Sequence, residues 1–159
     1  MENRRLLLLG GYGNTGRPLA RLLLQESDVQ LVIAGRNLTK AQAFAQELNQ
    51  AAGGERVRGC AADASDAASL KAAFQGIDMV VVVSSTARYA RLVAETALEN
   101  GIDYLDVQYS TSKIAILQSI AGQIEQAGRC FITDGGFHPG LPAVLIHYAA
   151  QEFDSLEKG

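Results

Sequence analysis

Long hydrophobic runs are missing from this sequence. The longest, Leu6 to Leu9 and Met79 to Val83, fall far short of the ~20 apolar residues that a helix needs to cross a bilayer, so no membrane partner is expected. The apolar stretch after Arg4 and Arg5 runs at once into glycines, which reads as a first strand and not as a signal peptide. An excess of positive charge is missing too. The net charge of −3 leaves no broad basic face, so a nucleic acid held by nonspecific phosphate electrostatics is not expected. Cysteine is scarce: Cys60 and Cys130 are the only two, with no CxxC spacing and no histidine cluster, which argues against a disulfide framework and against a metal site. A reducing, cytoplasmic setting is the expectation. Each cysteine lies beside a predicted strand and reads as a small buried apolar side chain.

What is present is a globular composition, 48% hydrophobic and 19% charged over 159 residues, the size of one ordinary domain. Short β-rich runs alternate with helical patterns, the signature of a parallel sheet covered by helices on both faces. Arg5 to Gly10 is a first strand, continuously apolar because such strands are buried on both sides. A helix follows over about Asn14 to Gln25, with Leu19, Leu22 and Leu23 on one stripe and Pro18 tolerated in its first turn. Val29 to Ala34 is strand two. The next helix, Thr39 to Ala51, starts with a Thr39-x-x-Gln42 capping box and ends at Gly53-Gly54. Val57 to Ala62, Asp78 to Ser84, Tyr104 to Val107 and Cys130 to Thr133 are further strands. Between them lie helices over Asp66 to Gln75, Ala87 to Asn100, and a segment with Leu117, Ile120 and Ile124 at helical spacing. Six strands with right-handed crossovers predict a doubly wound α/β Rossmann sheet of order 3-2-1-4-5-6.

Residues 1–135 make up this domain. After Gly135-Gly136 a turn-rich connection, Phe137-His138-Pro139-Gly140-Leu141-Pro142, leads into an apolar helix over Ala143 to Gln151. Residues 136–159 therefore read as a connection toward a second, substrate-binding domain not contained in this chain. The apolar helix is also a candidate surface for a homo-oligomer.

Gly11-x-Gly13-x-x-Gly16 directly follows the first strand and opens the first helix. In that setting the first glycine permits a tight turn, the second lets the backbone approach a pyrophosphate, and the third lets helix and strand pack closely. Free amides at the helix start, including those of Asn14 and Thr15, then face the anionic phosphates. The end of strand two, where an NAD-specific domain carries an acid for the ribose hydroxyls, reads Gly35-Arg36-Asn37. With no acid there, Arg36 suits a bidentate grip on a 2′-phosphate, so NADP is expected over NAD, with Asn37 beside it. Asp63, after strand three, fits either the adenine amino group or a helix cap. Ser84 and Ser85 end strand four, at the edge where the ligand crevice lies, and are candidates for the path to the nicotinamide.

The glycine loop, the Gly35-Arg36-Asn37 turn, the Tyr104-Leu105-Asp106-Val107 strand and the Gly136-Phe137-His138-Pro139-Gly140 connection together resemble the NADP-binding domain of saccharopine dehydrogenase-like oxidoreductases. The resemblance implies an NADP-dependent oxidoreductase acting on a small-molecule substrate, with a second, mainly β domain supplying much of the substrate site. Where that family often continues the Tyr-Leu-Asp strand with Gly-Glu, this chain has Gln108-Tyr109-Ser110, and the substrate does not follow from the resemblance.

Three residues are candidates for catalysis. Tyr109 and Lys113 fit the Tyr-x-x-x-Lys pattern in which a lysine lowers a tyrosine pKa so that the phenol acts as a general acid, although the pattern arrives early for a short-chain dehydrogenase. His138, in the connection after strand six, is a candidate proton donor. A non-catalytic NADP(H) sensor would carry the same glycine loop, because fold alone does not settle function.

Overall fold

The computed structural model describes residues 4–136 and 141–152. Its strands are β1 (Arg5–Leu9), β2 (Gln30–Gly35), β3 (Val57–Ala61), β4 (Met79–Val82), β5 (Asp103–Asp106) and β6 (Phe131–Ile132). They form a single sheet of order β3-β2-β1-β4-β5-β6, parallel at every pairing. This is the doubly wound Rossmann topology expected from the sequence. The helices are α1 (Gly16–Glu26), α2 (Leu38–Ala52), α3 (Ala67–Ala73), α4 (Ala90–Glu99), α5 (Thr111–Ser119), α6 (Ala121–Gln126) and α7 (Leu141–Ala150), with a 3₁₀ turn at Ala87–Tyr89 before α4.

The apolar runs divide between the two faces of the sheet by the period of two inherent in a strand. Leu7, Leu9, Val32, Val80 and Val82 pack on one face with Leu70, Val93 and Leu117 from the helices. Leu8, Ile33 and Val81 pack on the other with Ala20 of α1 and Phe44 and Leu48 of α2. Leu7 and Leu8 are both fully buried although they point to opposite faces, and each such side chain contributes about 1.5–3 kcal/mol relative to exposure. Burial on both sides is why these strands read as unbroken hydrophobic runs.

Several local expectations are corrected. The capping box at Thr39 and Gln42 is not formed: Asn37, in extended backbone, is the cap of α2, its side chain accepting from the Lys40 amide at 2.9 Å. Thr39 already lies inside the helix, so it cannot act at its start. The stripe of Leu117, Ile120 and Ile124 does not lie on one helix. Ile120, at φ −110° and ψ 6°, separates α5 from α6, and its burial against the core holds the chain at this break. Strand six shrinks to two residues. Cys60 is half-buried in β3, but Cys130 is exposed, because it precedes a short strand at the sheet edge and not a covered one. Burial pushes the Cys60 thiol up from its ordinary pKa.

α7 presents Val144, Leu145, Ile146 and Tyr148 to the exterior. Among the described residues no helix is long and apolar enough to cross a membrane.

Candidate functional site

The carboxyl ends of β1, β2, β3 and β4 frame a cleft of about 590 Å³. One wall is the glycine loop, with Gly10, Tyr12, Gly13, Asn14 and Thr15. Gly35 and Arg36 close it at the end of β2, Asp63 and Ser65 come from the turn after β3, and Ser84, Ser85, Arg88 and Tyr89 follow β4. β1 is the strand from which the chain winds outward in both directions, to β2 on one side and β4 on the other. Such a switch point opens a crevice at the carboxyl edge.

The loop is shaped by its glycines, with a different division of labour from that expected. The left-handed turn residue is Gly10, at φ +92°, where a Cβ would lie 2.5 Å from the Ser84 Cβ. Gly11 and Gly16 do not line the cleft; they allow close packing. A Cβ on Gly11 would meet the Leu8 carbonyl at 2.9 Å, and one on Gly16 would meet the Gly11 and Gly10 carbonyls at 2.5 and 2.6 Å. Gly13 does face the cleft, its amide donating to Gly10 O at 2.9 Å.

The first helical bond of α1 runs from Arg17 N to Gly13 O at 3.0 Å. The amides of Asn14, Thr15 and Gly16 have no protein acceptor among the described residues. Unpaired amides at a helix start, reinforced by the helix dipole, favour an anion.

At the end of β2, Arg36 is exposed and makes no ion pair within 4.0 Å among the described residues. Asn37 follows it but does not line the cleft: its side chain caps α2, and its amide donates to Tyr12 Oη at 3.0 Å. Asp63 lines the cleft and is not a helix cap; that role belongs to Asp66, which accepts from the Ala68 and Ser69 amides. Asp63 Oδ1 instead accepts from Ser65 N at 2.9 Å and Ser65 Oγ at 2.7 Å. Those bonds, with a smaller contribution from the Arg36 cation, hold its carboxyl below its ordinary pKa. Ser84 and Ser85 both line the cleft; Ser84 Oγ lies 3.1 Å from Thr86 Oγ1, and no side chain caps the following 3₁₀ turn.

Tyr109 and Lys113 are not brought together. Tyr109 lies ahead of α5, whose cap is Ser110, and is 62% exposed. Lys113 is within the helix and 1% exposed. Its ammonium donates to Asp106 Oδ1, to Gln108 O, and to Asp134 Oδ1 at 2.9 Å. All three ammonium hydrogens are thereby occupied, and none reaches the phenol. His138 lies outside the described residues.

The lysine belongs to a buried polar cluster that the sequence did not reveal. Tyr104 donates to Asp106 Oδ2 at 2.8 Å, Thr133 donates to the same oxygen at 3.1 Å, and Asp134 joins from a left-handed backbone at φ +59°. Burial and the adjacent Asp106 charge push the Tyr104 phenol far above its ordinary pKa. The available signal was an aspartate inside a strand otherwise destined for the core, since such a charge must be paired.

The family described as "Saccharopine dehydrogenase NADP binding domain" matches residues 6–129, all of the sheet but Arg5 and the last short strand. The chain belongs to this family. It is an NADP-binding domain. No curated protein matches the chain in sequence.

Among solved structures, this saccharopine dehydrogenase-type domain is similar to the apo L-Glu-forming saccharopine dehydrogenase of Saccharomyces cerevisiae, with a TM-score of 0.76 at 22% identity over 94% of the chain. It spans only 31% of that enzyme's length. Pen from Bacillus thuringiensis gives a TM-score of 0.65 at 16% identity, covering 82% of this chain and 49% of the other. A short-chain type dehydrogenase/reductase from Mycobacterium ulcerans gives 0.63 at 18% identity, covering 81% and 65%. At these identities the likeness is one of fold.

The NADP-binding domain has the chemistry its ligand asks for. NADP carries a pyrophosphate and a separate 2′-phosphate, and the cleft offers two separate places for anions: the unpaired amides of Asn14 and Thr15, and the guanidinium of Arg36, unpaired among the described residues. At Gly13 an added Cβ would come within 3.1 Å of Gly10 O, so a side chain has little room at this point of the cleft wall.

Proposed function

We propose that the chain is the cofactor-holding domain of an NADP-dependent oxidoreductase acting on a small-molecule substrate. The amides of Asn14 and Thr15, beside Gly13 in the loop, hold the pyrophosphate, and Arg36 holds the 2′-phosphate. Asp63 lies toward the adenine, and Ser84 and Ser85 line the way to the nicotinamide. Bound NADP supplies hydride chemistry; the chain's own residues bind and orient it. Gly11 and Gly16 shape the loop from behind, and Asn37 sets the start of α2 beside the phosphate site.

The observation that carries this reading is Arg36, an arginine at the cleft with no carboxylate partner within 4.0 Å among the described residues. A guanidinium left free at this position has its planar fork of donors available for a phosphate dianion. The test is titration of the chain with NADPH and NADH, followed by nucleotide fluorescence. Arg36→Ala should weaken NADPH binding about ten- to a hundredfold and leave NADH within about twofold, as loss of a charge-assisted hydrogen-bond pair requires. Tighter binding of NADH than of NADPH by the unaltered chain would defeat the assignment.

A further inference from the structure

The Arg36 side chain has no hydrogen bond or ion pair among the described residues, yet both of its chain neighbours are gripped by one side chain. Tyr12 lies across Gly35: a Cβ there would be 2.6 Å from Tyr12 Cε1, 2.7 Å from Oη and 2.8 Å from Cζ. Oη also accepts from the amide of Asn37 at 3.0 Å. The phenol therefore bridges the residue before Arg36 and the residue after it. Its own placement is fixed at the backbone, where Arg17 Nε donates to Tyr12 O at 3.1 Å, and Arg17 in turn stacks over Phe44 at 4.4 Å.

We propose that Tyr12 is a specificity-determining residue for the adenosine end of the cofactor, positioning Arg36 and offering its own hydroxyl hydrogen to the 2′-phosphate. Two observations beyond packing support this. Tyr12 lines the same cleft as Arg36. Because its oxygen serves as acceptor for Asn37, its O–H remains a donor, and no protein acceptor takes it among the described residues. A donor beside a free guanidinium matches an oxyanion and mismatches an unphosphorylated ribose, which gains much less from it. Gly35 is needed for the same reason: any side chain would displace the ring.

The inference rests on the proposed reading of Arg36, and its test separates the two. The chain, Tyr12→Phe and Gly35→Ala are titrated calorimetrically with 2′,5′-ADP and with 5′-AMP, with the thermal midpoint of each variant recorded. The unaltered chain should prefer 2′,5′-ADP. Tyr12→Phe, which keeps the ring over Gly35 and removes the hydroxyl, should weaken 2′,5′-ADP about tenfold and leave 5′-AMP within about twofold. Gly35→Ala, which keeps the hydroxyl and moves it, should lose selectivity in the same direction. Loss of affinity for both nucleotides alike, or retention of the full preference by Tyr12→Phe, overturns the role given to Tyr12 while leaving Arg36 intact. Absence of any preference in the unaltered chain overturns both.

Discussion

A single carboxylate at the cleft, Asp63, shows how far one residue can be read in isolation. Its sequence context allowed a cap or a ligand contact. The structure assigns the capping role three residues on, to Asp66, and leaves Asp63 bonded to Ser65 on the rim. Those bonds depress the native pKa, so the unfolded chain takes up the proton first as the pH falls. The stabilisation is thus complete above the ordinary carboxylate range and is lost as the pH drops through the lowered native value. Urea denaturation of the chain and of Asp63→Asn should show a stability gap that is constant above about pH 5 and narrows toward pH 3. A gap that widens on acidification would contradict this assignment. Arg36 could be located from one dimension because its offset from the glycine loop is fixed by the βαβ unit. Tyr12 could not, since a tyrosine at a variable position of the loop carries no signal until β2 is laid beside it.

At the scale of elements, the start of α1 depends on a single missing side chain. Gly16 brings the helix so near the loop that a Cβ would lie 2.5 and 2.6 Å from two backbone carbonyls, and backbone yields less readily than a flexible side-chain tip. Gly16→Ala should cost about 1–3 kcal/mol by overpacking, read by urea denaturation. It should also weaken NADPH, because the unpaired amides move with the helix. Unchanged affinity would show that those amides do not hold the ligand. All six strands and the presence of helix in every crossover were legible, because hydrophobic period and glycine punctuation are local properties. The helix boundaries were less so. Asn37 displaced Thr39 as the cap, and Ile120 broke a stripe with sound helical spacing, since its burial is decided by the sheet beneath it. The spacing of Tyr109 and Lys113 misled for the same reason: Asp106 at the end of β5 and Asp134 beyond β6 claim the lysine.

Across the whole molecule, that lysine ties together parts of the chain that meet only in the folded state. Asp106 ends β5, Lys113 lies in α5, and Asp134 follows β6. The side chains of Lys113 and Asp106 are each 2% exposed and that of Asp134 is 17% exposed. Lys113→Met leaves two carboxylates without their cation and should destabilise the chain by about 3–5 kcal/mol. Denaturant unfolding measures this directly; a loss below about 1 kcal/mol would place the lysine among surface pairs of little worth.

The brevity of β6 has its own consequence. Open sheets carry the hazard that an exposed edge offers unpaired main-chain groups on which a foreign strand can align. Here the outermost strand is only Phe131–Ile132, and just beyond it Gly135 donates to Asp106 O at 2.9 Å in irregular backbone. The end of β5 is thus met by the Gly135 amide, outside any regular strand among the described residues. Among the described residues, a strand arriving from another molecule finds a two-residue template there, too short to favour extension of the sheet on this side.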